Sequence, residues 1–105
     1  MINVYLICSE TNNDVVYKVG FTRRDVNERI KDMKTGNAGT IYIINVFTSK
    51  YGTKIEAFLK KKYKPYNISG EWFKLPEKEI AEFMENCQNV HNSFIALESN
   101  TYLMK

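Results

Sequence analysis

The stretch Val15-Val16-Tyr17-Lys18-Val19-Gly20-Phe21-Thr22, running into Arg23-Arg24-Asp25-Val26-Asn27-Glu28-Arg29, decides how the rest of the chain is read. A β-prone run, a glycine, a polar turn and an amphipathic pattern describe a strand that hands its C-terminal end to a helix start. Phosphate chemistry is often built at such a junction. The glycine lets a ligand or another backbone approach closely, while Lys18, Arg23, Arg24 and Arg29 gather positive charge around it.

Working outward, Ile2 to Cys8 reads as a strand with Ile2, Val4 and Leu6 on one face and Asn3, Tyr5 and Ile7 on the other. The polar segment Glu10 to Asp14 makes a β-hairpin with the second strand the economical reading. A four-residue loop, Glu10 to Asn13, would set Tyr5 opposite Lys18 and make a phenol and an ammonium neighbours. On the other side, Asp25 and Glu28 form a capping-box-like start to a short helix with Val26, Ile30 and Met33 as its stripe and Gly36 as its stop. Arg29 flanks that stripe and can lean toward the sheet.

Thr40 to Thr48 is almost wholly β-branched or aromatic and predicts a central strand. Thr53 and Glu56 offer a second capping box, opening a helix with Ile55, Phe58, Leu59 and Tyr63 buried and Lys60, Lys61 and Lys64 outward, ended by Pro65. Glu71 to Leu75 reads as a short extended piece, and Pro76 opens a third helix with Ile80, Phe83, Met84 and Cys87 as its stripe. Beyond Cys87 the pattern weakens, and Thr101 to Lys105 reads as a loose tail or an oligomer contact.

The 105 residues, 44% of them hydrophobic, support one domain with one modest core. We expect a single domain over 1–105, with its core in 2–75 and a helical or irregular extension over 76–105. Cys8 and Cys87 lie in apolar patterns and read as buried thiols, which fits a reducing cytoplasm. Neither a signal peptide nor an apolar run near the ~20 residues needed to span a bilayer is present, so a cytoplasmic protein is expected. The net charge is only +3, but residues 18–34 sum to +3 and residues 50–64 to +5 within an otherwise acidic or neutral chain. Two basic segments with interleaved Tyr63, Tyr66 and Trp72 point to a polyanionic partner.

Several chemistries drop out. His91 is the only histidine and two distant cysteines cannot form a thiolate zinc cluster, which removes Ser/His and Cys/His sites and thiolate zinc centres. Gly36 to Gly39 lacks the lysine and hydroxyl residue of a nucleotide-hydrolase phosphate loop. A lysine, an arginine, tyrosines and one carboxylate remain. They suffice for phosphodiester hydrolysis with one metal: Glu56 holding a hard cation, an arginine clamping the phosphate, and a tyrosine acidified by a nearby ammonium as the base.

Val4-Tyr5-Leu6, Lys18-Val19-Gly20, Arg29, Glu56 and Lys64-Pro65-Tyr66-Asn67 resemble, in order and spacing over residues 2 to 75, the motifs of the GIY-YIG nuclease superfamily. Gly70-Glu71-Trp72-Phe73 and the Lys-Val-Gly-Phe-Thr form resemble its small phage and viral branch. The resemblance implies an α+β fold, a central three-stranded antiparallel sheet flanked by helices, with one Mg2+ or Mn2+. It implies Tyr5 as general base, Arg29 as phosphate clamp, Glu56 as metal ligand and Asn67 as an ordering residue near the metal. Lys18 takes the place of the second-motif tyrosine, where the resemblance implies that it activates Tyr5. Met33 stands where many members carry a histidine or tyrosine, and the turn before Arg29 holds one extra residue.

The leading expectation is therefore a Mg2+-dependent endonuclease acting on DNA, branched or flexible, with catalytic Tyr5, Lys18, Arg29 and Glu56. Arg23, Arg24, Lys60, Lys61, Lys64, Asn67 and Trp72 are the substrate-binding candidates. With no room for a recognition domain, specificity would come from DNA shape, a homodimer or a recruiting protein partner. The rival is a catalytically weak or inactive nucleic-acid-binding module on the same fold. An inhibitor or assembly protein using the acidic third helix is a further reading.

Overall fold

The computed structural model describes residues 1–34 and 40–100. Strand β1 (Ile2–Thr11) is followed by β2 (Asp14–Thr22), helix α1 (Val26–Lys34), β3 (Thr40–Ser49) and helix α2 (Gly52–Lys62). A 3-10 turn at Lys64–Tyr66 leads to the short strands β4 (Asn67–Ser69) and β5 (Trp72–Phe73), then helices α3 (Glu77–Ala81) and α4 (Phe83–Asn100). The sheet is antiparallel and runs β3-β1-β2-β5-β4, so β3, expected as a central strand, lies at its edge; its apolar run meets α1, α2 and α4 in place of a second neighbouring strand.

The fold is thus α+β, with five strands where three were expected. The additional pair, β4 and β5, comes from residues 67–73, of which only the part after Gly70 reads as extended. It attaches through the pairing of Tyr17 with Phe73 and of Ser69 with Trp72. Strands this short carry almost no alternation, so their pairing is set by the neighbouring sheet edge and not by their own pattern.

β1 buries both faces, as its sequence predicts. On one face Val4 and Leu6 join Val19, Ile55, Leu59, Tyr63, Phe83 and Cys87 in a core covered by α2 and α4. On the other, Tyr5 and Ile7 pack with Val26, Ile30 and Ile41 beneath α1. Helix α2 keeps Ile55, Leu59 and Tyr63 buried at four-residue spacing, but Phe58 is half exposed, because it falls outside that stripe. Met33 packs against the α1-side core. Its long apolar side chain serves there as core filling.

Three local expectations change. The hairpin loop is Asn12-Asn13, two residues and not four, because Asn12 accepts a left-handed φ of 52° that closes the turn sooner. The register therefore slides, pairing Tyr5 with Gly20 and Ile7 with Lys18. A slide of two keeps every side chain on its face. Second, α2 starts at Gly52 with Tyr51 as its cap residue, so no capping box forms at Thr53 and Glu56. Ser49 accepts the Tyr51 N–H at 2.9 Å instead. Third, the single helix expected from Pro76 through Cys87 is broken at Glu82 into α3 and α4, and the weak pattern beyond Cys87 belongs to a continuous 18-residue α4. Its Phe94 stacks on Tyr51, and His91 Nδ1 lies 2.7 Å from Ser49 Oγ, so one-sided packing on a sheet edge replaces a strong stripe. Gly36 as a helix stop and the Thr101–Lys105 tail lie outside the described residues.

Candidate active-site cleft

The polar turn Thr22 to Asp25 aims α1 back across the sheet. Asp25 opens that helix by accepting the Asn27 N–H at 2.8 Å, and Arg29 one turn later overlooks β1. Close cross-strand approach is possible because Gly20 faces Tyr5: a Cβ at position 20 would collide with the phenol ring. From the other layer, the start of α2 carries Glu56, free of any capping role. These elements converge on a cleft of about 290 Å³ lined by Tyr5, Lys18, Arg29, Glu56, Lys60 and Glu71, with Gly20 in its floor.

All four residues expected to be catalytic therefore line one cleft. Of the residues expected to bind substrate, only Lys60 does. Arg24 is tied to Asp32 at 2.7 Å, and Arg23, Lys61 and Lys64 are exposed away from the cleft lining. Asn67 acts structurally, because its Nδ2 donates to the carbonyls of Gly70 and Trp72 at 2.8 and 3.0 Å and so closes the β4–β5 turn. Trp72 borders the cleft through Lys18, whose Nζ is 5.9 Å from the indole centroid.

The charges form a chain. Lys18 Nζ is 3.0 Å from Glu71, Glu71 is 3.1 Å from Lys60, and Lys60 is 3.0 Å from Glu56. Lys60 thus turns inward between two carboxylates, against its expected outward face. A four-residue step along α2 brings it beside Glu56, and Glu71 pulls it from the second side. The two ammonium partners, Lys18 first, hold the Glu71 carboxyl below its usual range. Glu71 was not a candidate from sequence; the signal that could have found it is its place in Gly70-Glu71-Trp72-Phe73.

Tyr5 also differs from expectation. Its phenol pKa is raised, chiefly by burial, while the Arg29 guanidinium pulls it down by charge and hydrogen bonding. Lys18 does not acidify it, because the two-residue slide moves the ammonium one step along the ladder and Glu71 neutralises it.

A hard divalent cation fits this donor set. Mg2+ binds through one or two carboxylates and keeps its waters, and Glu56 presents a side chain only 12% exposed. The Lys60 ammonium already places one positive charge between Glu56 and Glu71. Among the described residues no cluster of three or more His, Cys, Asp or Glu side chains offers a denser cage.

An α+β domain with a charged cleft at the junction of hairpin and helices is the class that fold and site define. Residues 2–88 match the T5orf172 domain, and the chain belongs to that family. It is also similar to "Uncharacterized protein 460R" of Invertebrate iridescent virus 6, at 29% identity over 90 residues. That match covers 79% of this chain and 40% of the viral protein, so the chain spans well under half the length of its relative. No solved structure matches the chain. No helix among the described residues is long and apolar enough to cross a membrane.

Proposed function

We propose that this chain is a metal-dependent endonuclease domain of the GIY-YIG type, hydrolysing DNA phosphodiesters by attack of water. The observation that carries the reading is the convergence of Tyr5, Lys18, Arg29 and Glu56, from four different elements, on one cleft. Glu56, and with it Glu71, would hold Mg2+ or Mn2+, which when bound supplies Lewis-acid stabilisation of the leaving oxygen. Arg29 clamps the non-bridging oxygens, where a guanidinium fork matches phosphate. Tyr5 takes a proton from the attacking water once its own proton has left, and Arg29 beside it favours that phenolate. Lys18, fixed in place by its ion pair with Glu71, lines the cleft as a further partner for phosphate oxygens.

A branched or flexible DNA substrate, with a recruiting partner or homodimer, fits a cleft of charged groups that reads phosphates more than base edges. Likeness to a protein of Invertebrate iridescent virus 6 supports a viral or phage setting. Two free buried thiols support a reducing, cytoplasmic one. The alternative, a DNA-binding module with little or no activity, draws on the neutral Tyr5 and on Lys60, which neutralises Glu56. Metal-dependent nicking of supercoiled plasmid, lost on Glu56→Gln, separates the two.

A further inference from the structure

The face of the sheet that carries Tyr5 and Lys18 continues past the cleft. Along the β1–β2 ladder Ile7 pairs with Lys18, Ser9 with Val16 and Thr11 with Asp14. Alternate residues share a face, so Ser9, Thr11 and Val16 extend the same surface toward the hairpin tip. There a second depression of about 240 Å³ is lined by Ser9, Thr11, Val16, Ile68, Ser69 and Trp72. The two hollows adjoin at Lys18 and Trp72, whose ammonium and indole lie 5.9 Å apart.

Their chemistries differ. The cleft is lined by charged groups, whereas the second hollow has no charged side chain: an indole and two branched aliphatics supply apolar surface, and three hydroxyls supply donors and acceptors. A phosphate gains nothing there. A flat, neutral ring with polar edges does, through stacking on an aromatic face and hydrogen bonds at its rim. From Gly20 to Val16 the strand rises about 13 Å, a span that roughly one or two nucleotides of an extended strand cover. Ile68 is 51% exposed at the hollow's edge, and the two Asn67 bonds hold the turn that presents Trp72.

We propose that this depression receives an unpaired base of the DNA strand whose phosphate occupies the cleft, with Trp72 as its stacking platform. The placing of the phosphate rests on the nuclease reading. A base inside a duplex is stacked and paired and cannot enter without being extruded. The pocket therefore selects flaps, gaps and branch points over continuous duplex.

Trp72 is the single tryptophan of the chain, so its fluorescence reports this pocket directly. An oligothymidylate of about ten nucleotides, titrated into the intact chain in EDTA, should quench that emission. A fully abasic strand of equal length should leave it unchanged and bind about tenfold more weakly. Ile68→Asn at the exposed rim, which removes apolar surface without adding charge, should weaken oligothymidylate binding without altering affinity for blunt duplex. Equal binding of intact and abasic strands, equal quenching by blunt duplex, or unaltered oligothymidylate binding by the Ile68 variant would overturn the proposal. Cleavage is a separate readout. Glu56-dependent cleavage with no penalty for the abasic strand removes the base pocket and leaves the nuclease, whereas base-dependent quenching in a protein that cleaves nothing does the reverse.

Discussion

Tyr5 on β1 and Gly20 on β2 are cross-strand partners, and a Cβ added at Gly20 would lie 2.7 Å from Tyr5 Cε1 and closer still to its Cζ and Oη. The ring is buried beneath α1 and the glycine backbone is held in the sheet, so neither can retreat cheaply. Gly20→Ala should cost about 1–3 kcal/mol, the range for overpacking a closed site, and displace the phenol from the cleft. Urea unfolding of Gly20→Ala, Tyr5→Ala and the double variant checks this. The double variant should recover much of the loss, and strict additivity would show that the two positions do not press on each other.

The neutral Tyr5 phenol gives the proposed reaction its pH dependence. The folded pKa lies above the ordinary tyrosine value of 10.0, so little phenolate exists at pH 7 and its population grows with each rise in pH below that value. Cleavage under single-turnover conditions should climb across pH 7 to 9 with a log–log slope of about one and no plateau. Tyr5→Phe should lose the activity. A rate that levels off below pH 8, or a Phe variant that cuts normally, would remove Tyr5 as the base.

Lys60 should compete with divalent metal, since it places its ammonium between the two carboxylates that would bind the ion. Lys60→Gln should tighten Mn2+ binding about fivefold, a Coulombic effect of ~1 kcal/mol at a partly solvated site. Because Glu71 is largely exposed, global stability should change little. Calorimetric titration with Mn2+ decides the matter. Weaker binding in the variant would mean that Lys60 supports the site and does not compete for it.

Ser49 is fully buried and serves two elements: it accepts the Tyr51 N–H that opens α2, and it meets His91 on α4. Ser49→Ala would leave both partners without this oxygen and should cost ~1–2 kcal/mol. It does not line the cleft, so cleavage by folded protein should persist. A drop in activity without a drop in stability would assign Ser49 a role that this geometry does not provide.

Much of this was legible in the sequence. The two buried faces of β1 follow from its nearly continuous apolar run, and the convergence of Tyr5, Lys18, Arg29 and Glu56 is what the resemblance of their motifs implies. The register did not. A hairpin's pairing depends on whether a residue such as Asn12 accepts a left-handed φ, and composition alone leaves two- and four-residue loops equally open. Lys60 looked like one more lysine on a solvated helix face. Its inward turn depends on Glu71, contributed eleven residues later by a segment too short to show a pattern. The same is true of α4, whose packing on Tyr51 and Ser49 is tertiary and leaves only a weak stripe.

Incubating supercoiled plasmid and a branched duplex with the purified chain in Mg2+ or Mn2+ decides whether the chain is a nuclease. Arg29→Ala, Glu56→Gln and an EDTA control run alongside, with folding checked by circular dichroism. Metal-dependent nicking is expected, with the branched duplex cut in preference to its linear counterpart, and loss of at least about a hundredfold in rate in either variant despite a native fold. No cleavage by folded protein that binds DNA, or cleavage unchanged in Glu56→Gln, would contradict the nuclease reading.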